Sequence, residues 1–523
     1  MKNDSDIKSF DNKRTAIEKI KTVPELATIL AEQKAQGKTI VQCHGVFDLL
    51  HPGHIRHLAQ ARQQGDILVV TVTADAHVNK GPGRPAFNQD LRAETLASLE
   101  SVDYVAINEF PTAILALKTL RPDVYAKGSD YANADADDDI SGNIVDETNV
   151  VHSFDGRVHF TNDITFSSSS LINEILLPFP PETDLWLKAF RKNRSEDDVL
   201  EALTAISDFN VLILGEAIID EYVFCHGLGK TARDPILAFL NQSKETVAGG
   251  SLAVANHLGD FCNHVETIAL VGEIDRHEEF MRSALHSNVT LHAITHQGAP
   301  TIRKRRFVDD HTGAKIFELY HMNDDPLDPR TESDIIDTVE KSIAKADVVI
   351  VADYGHGMMT PRVIEMVSRK AKFLVLNTQA NAGNRGLNTI SRYPRADYVC
   401  LSANEVEIET RLNHANPNEL FLALSELIDC PRFTFTQGRL GTRHYENGIE
   451  VVEAPAVALK VVDRVGAGDA MLAITGPLVA KKTPWDIVAL VGNAAGAEMV
   501  AELGNRPSLT KVGFYKHLSA LLK

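Results

Sequence analysis

Two short stretches place residues at spacings that suit chemistry on phosphates. The first is Gly45-Val46-Phe47-Asp48-Leu49-Leu50-His51-Pro52-Gly53-His54. It follows Thr39 to Cys43, an apolar run that reads as a buried strand. Gly45 suits a tight turn where backbone can approach a ligand. His51 and His54 are three apart at the start of a predicted helix and so share one face. Pro52 suits the first helical turn, and Gly53 leaves room for a ligand to press close. The free N–H groups and positive dipole end of that N-terminus make a pocket for a polyphosphate. Two imidazoles there can donate to phosphate oxygens. The second stretch is Asp463-Arg464-Val465-Gly466-Ala467-Gly468-Asp469-Ala470, ahead of an apolar helix-like run from Met471. Gly466, Ala467 and Gly468 expose consecutive N–H groups as an anion nest. Asp469 sits where a carboxylate can take the proton from a substrate hydroxyl. Taken alone, a histidine pair or a Gly-x-Gly-Asp also occurs as plain helix start or loop, so the surroundings decide.

Other segments add cations, caps and turns. Lys80 and Arg84 lie in a Gly/Pro-rich loop. Lys127-Gly128-Ser129-Asp130-Tyr131 follows a predicted strand. Ser167, Ser168 and Ser169 belong to a serine run before a predicted helix, where serines are good caps in any protein. Ala134 to Asp139 is acidic and reads as a solvated loop, with no fixed ligand spacing for a cation.

The positioning elements follow from periodicity. A helix is predicted from Thr22, with Pro24 in its first turn, an apolar face of Leu26, Ile29 and Leu30, and Gly37 as its end. Strands are predicted at 39–43, 66–72, 102–107 and 123–126, alternating with helices. Such alternation implies a parallel sheet with helices on both faces. Pro178-Phe179-Pro180-Pro181 marks a break, and 182–207 reads as an amphipathic linker helix. A second α/β pattern starts with a strand at 210–215 and includes strands at 347–353 and 373–376. The expected organisation is an extension and helix at 1–35, a first domain at 36–176, a linker helix at 177–208 and a second domain at 209–523.

At 523 residues, two or three domains are expected. Hydrophobic residues at 44% leave material for two cores. A net charge of −18 argues against a nucleic-acid or anionic-membrane partner but not against small phosphorylated ligands. Cys43, Cys225, Cys262, Cys400 and Cys430 are scattered and odd in number, as in a reducing compartment. No run approaches the ~18 apolar residues that span a bilayer, and the charged N-terminus lacks a signal-peptide core. The expected location is the cytoplasm.

The first stretch resembles the H-x-G-H signature of the cytidylyltransferase-like nucleotidylyltransferases, down to the preceding G-x-F-D-x-x-H. Lys127–Tyr131 resembles their K-G-x-D-Y, and Phe166–Ile172 their serine motif before a helix, all in family order. The resemblance implies a Rossmann-like domain with His51, His54 and Lys80 catalytic. It implies nucleotide and phosphate binding by Gly45, Phe47, Asp48, Gly53, Arg84, Lys127, Gly128, Asp130, Ser167, Ser168 and Ser169. The implied chemistry is attack of a phosphate oxygen on the α-phosphorus of a nucleoside triphosphate, releasing pyrophosphate.

Residues 463–470 resemble the D-T-x-G-A-G-D signature of the ribokinase (PfkB) carbohydrate kinases, with Arg464 where Thr is usual. Gly215–Asp220, Ala248–Ser251, Asp353–Gly357, Asn404–Glu407, Thr436–Gly441 and Asn493–Gly496 match further motifs of that family in order. The resemblance implies a ribokinase-like α/β sandwich with a small β lid, drawn from 218–240 and 301–321. It implies Asp469 as base, Gly466, Ala467 and Gly468 as anion hole, and nucleotide binding by Asn404, Thr436, Gly438, Gly441 and Asn493. It implies sugar binding by Asp220, Gly249, Gly250, Asn256 and Asp353, and Mg²⁺ at Glu407. Four departures stand out: Arg464, His356 for Lys in D-Y-x-K-G, a shifted Asn256, and Asn377-Thr378-Gln379 where the nearest kinases read D-P-K.

Together the halves resemble the bifunctional heptose kinase/adenylyltransferases of ADP-heptose synthesis, with the domain order reversed. The implied activity is ATP-dependent phosphorylation of a heptose-like sugar or sugar phosphate, followed by transfer from a nucleoside triphosphate to a sugar-1-phosphate. The serine run lacks the Arg of the R-T-x-G-I-S-T-T pattern of glycerol-phosphate cytidylyltransferases, which points to ATP and leaves CTP open. Mg²⁺, small-molecule sugar and nucleotide partners, and a homodimer through the lid are expected. Two other readings stay open. In one, only the transferase works, with CTP and a polyol phosphate, and the kinase-like half binds or dimerises. In the other, the enzyme makes FAD or a CoA precursor, which leaves the kinase half unexplained.

Overall fold

The computed structural model describes residues 15–81, 84–128, 143–161, 179–323, 325–384, 386–504, 506 and 508–523. The chain divides into two compact units, Met1–Pro178 with Tyr515–Leu521 and Lys523, and Phe179–Phe514 with Leu522.

The first unit is built on a five-stranded parallel sheet: β1 (Ile40–Gly45), β2 (Ile67–Thr73), β3 (Tyr104–Asn108), β4 (Val124–Lys127) and β5 (Arg157–Phe160), in the order β3-β2-β1-β4-β5. β1 and β2 are almost wholly buried because both faces are covered. Val41, Cys43, Leu68 and Val70 meet Leu58, Ala61, Ala93 and Leu96 on one face. Ile40, Ile67 and Val69 meet Leu26, Leu30 and Leu120 on the other. The helix Val23–Ala35 starts where Thr22 and Glu25 form a reciprocal capping box, and Gly37 follows its end at φ 81°. The chain runs from β1 outward to β3, then returns to β4 on the other side of β1. In open parallel sheets the ligand crevice lies at the carboxyl ends of the strands where the order reverses. Gly45 and Lys127 occupy those ends.

In the second unit one strand serves two sheets. β6 (Asn210–Lys230) does not stop at Gly215, because Ala217 to Val223 stay buried beneath a second layer. Its first part pairs in parallel with β8 (His264–Ile274) and β12 (Val348–Asp353). The main sheet extends from β9 (Val289–Pro300) through β8, β6 and β12 to β13 (Leu374–Thr378), β14 (Tyr398–Ser402) and β15 (Arg432–Thr436), all parallel. An antiparallel meander of β16 (Thr442–Glu446) and β17 (Ile449–Ala454) completes it. The second part of β6 pairs with β7 (Leu237–Gly250) and β10 (Ile302–Asp309), and β10 pairs with β11 (Lys315–His321). This four-stranded sheet is the small lid. The order again reverses beside β6, so Glu216 and Asp353 mark the crevice.

The segment read as a single linker helix is two helices, Pro181–Asn193 and Glu196–Thr204. Ser195 and Asp198 form a capping box that starts the second, which explains the break. Both pack on the second unit: Trp186 donates to the Glu453 carbonyl at 3.0 Å, and Arg194 pairs with Asp486 at 2.7 Å.

Candidate functional site

At the end of β1 the chain turns through Phe47, at φ 50°, into the helix Pro52–Arg62, with His51 as its N-cap and Gly53 buried in its first turn. The His51 and His54 rings stack with centroids 3.9 Å apart, and the Phe47 ring stands edge-on to His54. A Cβ on Gly45 would lie 3.2 Å from the Phe47 ring. Burial, then the neighbouring His51 and Lys80, pulls His54 down to about 3; burial and Lys80 lower His51 as well. Both imidazoles are therefore neutral at pH 7, although a bond to the Leu49 backbone opposes the shift of His54. Lys80 is half-buried, and desolvation brings its ammonium down to about 8 against the opposing pull of Asp48.

The other sequence-singled residues fare unequally. Asp48 is buried, and its Oδ1 accepts from the Ala86 and Phe87 N–H groups at 2.6 and 3.3 Å. Arg84 lies 3.7 Å from its Oδ2. Asp48 thus ties down residues 84–87. Lys127 pairs with Glu147 at 2.8 Å, and Tyr125 donates to the same carboxylate at 2.9 Å. Gly128 has open space where a Cβ would stand. Asp130, Ser167, Ser168 and Ser169 lie outside the described residues, as does the acidic 134–139 stretch. Sequence reading passed over Arg92. Buried, it donates to the carbonyls of Val46, Thr73 and Phe87, locking the turn after β1 to the ends of its neighbours.

In the second unit the helix Ala467–Ala480 begins at Gly466, held at φ 87°. That left-handed conformation is the one glycine tolerates. Asp463 fixes the turn: its carboxylate accepts from the Arg464, Val465 and Gly504 N–H groups and pairs with Lys315 at 2.6 Å. Arg464 itself is exposed, and a Cβ on Gly468 would meet open space. Asp469 lies in the first helical turn, buried. Its Oδ1 accepts from the Tyr354 hydroxyl at 3.0 Å and the Gln379 amide at 3.2 Å. Burial pushes its carboxyl up to about 7, although the Tyr354 bond opposes this.

Around it, Asp220 is buried and paired with Arg306, and a Cβ on Gly249 would stand 2.1 Å from Asp220 Oδ2. A side chain there would push the Asp220 carboxylate aside. Gly250 follows at φ 64°, opening the helix Ser251–Gly259. Asp353 is buried, accepting from the Gly355 N–H at 3.0 Å and the Tyr393 hydroxyl at 2.7 Å. Asn256 donates to the Ala284 carbonyl and accepts from the His286 N–H, joining two helices. Asn493 donates to Thr442 and the Ala489 carbonyl, packing its helix on β16. Thr436, Gly438 and Gly441 form the turn between β15 and β16. Asn404 is exposed and Glu407 half-buried on the helix Ala403–Thr410. Their neighbour Glu405 turns towards the 380 loop, accepting from the Ala380 N–H at 3.3 Å.

A family model described as pfkB family carbohydrate kinase matches residues 208–511, more than half of the chain. The chain belongs to that family. A second model, described as cytidylyltransferase-like, matches residues 43–175 ahead of the pfkB region. Several relatives carry the name Bifunctional protein HldE. That of Geobacter sulfurreducens is 39% identical over 167 residues, 31% of this chain and 32% of its own. That of Aliarcobacter butzleri is 44% identical over 140 residues, 26% and 29% respectively. That of Bradyrhizobium diazoefficiens is 28% identical over 304 residues, 57% and 61%. The chain thus spans about a third of the first two relatives' length, and its two regions come in the reverse order. Phosphofructokinase-2 from Escherichia coli, solved in complex with potassium, aligns over 60% of this chain and 100% of its own, at 14% identity and TM-score 0.49.

The pfkB region explains how Asn377–Gln379 is accommodated. Asn377 donates to the Cys400 carbonyl at 2.8 Å, and Gln379 reaches Asp469. Asn381 and Asn384 donate to the Tyr354 carbonyl, and Asn388 to that of Asp353. An amide framework stands where a carboxylate and a lysine were expected. Glu216 was missed by sequence reading, although it is the lone charge between Val211 and Ile219. Fully buried, it accepts from the Tyr354, His356 and Met358 N–H groups, and so sets the 353–358 turn of this pfkB site. Burial, then the Asp353 carboxylate, pushes its pKa up. Lys304, also missed, is buried beside Asp220.

Proposed function

We propose that the chain is a bifunctional enzyme of nucleotide-sugar synthesis. Its pfkB half, 209–523, phosphorylates a heptose-like sugar or sugar phosphate with ATP. Its nucleotidylyltransferase half, 36–176, couples a sugar-1-phosphate to a nucleoside triphosphate. The observation that carries this reading is the buried carboxylate of Asp469 in the first turn behind Gly466 and Gly468. In the kinase step Asp469 takes the proton of a sugar hydroxyl. The hydroxyl oxygen bonds to the γ-phosphorus, the bond to the β,γ-bridging oxygen breaks, and ADP leaves. The N–H groups of Gly466, Ala467 and Gly468 hold the transferring phosphoryl charge. Gly249 and Asp220 bound the sugar side, with Asp353 and Asn256 behind, and Thr436, Gly438, Gly441, Asn404 and Asn493 the nucleotide side.

In the transferase step a sugar-1-phosphate oxygen bonds to the α-phosphorus as pyrophosphate leaves. His51, His54 and Lys80 donate to the charge that moves onto the leaving group. Gly45, Phe47 and Gly53 shape the floor. ATP is the favoured nucleotide, with CTP the alternative. Among the described residues no three ligating side chains gather into a metal cage. Mg²⁺ needs no such cage, being held by one or two carboxylates and by substrate phosphates. Glu407 would hold it in the kinase half, where Mg²⁺ neutralises triphosphate charge. No described helix is long and apolar enough to cross a membrane. Five unpaired cysteines support a cytoplasmic setting.

Pyrophosphate release with ATP or CTP and a panel of sugar-1-phosphates, heptoses included, tests the transferase. Release with one pair is expected; none from folded, nucleotide-binding protein would refute the sugar-1-phosphate step. A transferase-only enzyme is favoured by one observation: Asp220 and Asp353, read for sugar hydroxyls, already face Arg306 and Tyr393.

The lid is proposed to pair two copies. Leu228, Leu237, Leu240, Phe317 and Leu319 are each at least half exposed on its strands. Exposed apolar side chains on the strands of an open sheet suit a second copy. Light scattering should give twice the 57.4 kDa chain mass at micromolar concentration, and a monomer would refute the pairing.

A further inference from the structure

We propose that Tyr354 and Gln379 are positioning residues for Asp469: both donate to one carboxylate oxygen, Oδ1, and so present Oδ2 to the substrate hydroxyl. The inference deepens the kinase reading and rests on it. The Tyr354 hydroxyl stands 3.0 Å and the Gln379 amide 3.2 Å from Oδ1. Neither bonds Oδ2. A carboxylate has two near-equivalent oxygens and rotates about its Cβ–Cγ bond unless something fixes it. Two donors converging on one oxygen fix the plane and remove that oxygen from competition. The donors are themselves held. Tyr354 is buried, its N–H bound to Glu216 and its carbonyl to Asn381 and Asn384. The Gln379 N–H is bound to the Asp353 carbonyl at 2.8 Å.

The charged groups around Asp469 come from several elements. Asp220 on β6 and Glu405 on the helix Ala403–Thr410 disfavour its ionised form, while Lys304 on β10 favours it. Hydrogen bonds to Oδ1 favour the ionised form too. They therefore act on geometry and on basicity together.

The test uses the full chain, with ¹³C-labelled aspartate carboxyls. The Asp469 signal is assigned by its loss in Asp469→Asn. Tyr354→Phe and Gln379→Ala should each raise its titration midpoint, by about one pH unit. Gln379→Lys, a cation of similar reach, should lower it. In sugar-dependent ADP formation, the acid limb of kcat should move in the same directions. Tyr354→Phe should lower kcat at pH 7 about tenfold with little change in the sugar KM. A merely structural role would change melting temperature without moving the midpoint, and midpoints like the parent's in all three variants would overturn the proposal. The titration needs no turnover. Midpoints that move as expected in a protein phosphorylating no sugar would uphold the orientation and refute the kinase reading.

Discussion

Asp469→Asn should abolish sugar-dependent ADP formation, by about 10³-fold or more, while leaving pyrophosphate release by the other half unchanged. General-base catalysis is worth roughly 10²–10⁴-fold, and asparagine keeps the shape but cannot accept the proton. The pH dependence follows from the same carboxyl. With its midpoint raised to about 7, it is protonated and inert as a base below that pH, and kcat/KM should climb as pH rises through 7. The folded state holds this proton more tightly than the unfolded chain. Asp469 therefore favours folding at low pH and loses that contribution as pH rises through 7. At pH 8 the asparagine variant should melt no lower than the parent, because an ionised carboxylate has left a buried site. An inactive variant with a lowered melting point would point to disrupted packing. Kinase turnover that survives would sink the assignment and favour an enzyme with only the transferase active.

The site was legible in sequence where chemistry depends on backbone, and less so where it depends on side chains across strands. Gly466 and Gly249 stand where a left-handed turn and a 2.1 Å approach to the Asp220 carboxylate favour glycine. The spacing of His51 and His54 predicts that they share one face, and their rings stack. Pairings between distant segments left no such trace. Arg92 serves carbonyls of three separate segments, and Glu216 serves a turn almost 140 residues away. Nothing local names the partners of either. The misreadings have the same root. The strand read at 210–215 and the lid read from 218–240 are one continuous strand, because Ala217 to Cys225 pair with β7 on one side and, from Ile218, with β10 on the other. Nor does the sequence show where the Asn377–Gln379 departure reaches: Asn377 bonds the Cys400 carbonyl and Gln379 bonds Asp469, while Asn381 and Asn384 bond a turn held at its other side by Glu216.

His54→Ala should lower kcat/KM for pyrophosphate release by about 10²- to 10³-fold, the range for removing one fixed donor to developing charge. The structure makes the donor argument specific. With its midpoint at about 3, His54 stays neutral across the working range, so no acid limb near pH 6.5 should appear in kcat/KM from this residue. A neutral imidazole keeps one N–H, and the ring stacked on His51 cannot swing away without losing that contact. Lys80 sets the opposite limb. Its ammonium is charged below about 8 and neutral above, so its attraction for the triphosphate is lost as pH rises through 8. The kcat/KM profile of the parent should fall on that side, and Lys80→Met should flatten the fall while raising the nucleotide KM. His54→Gln, with an amide N–H of similar reach, should recover part of the loss. Full activity in His54→Ala would remove the histidine pair from the chemistry. A descending limb that persists in Lys80→Met would assign it to another group.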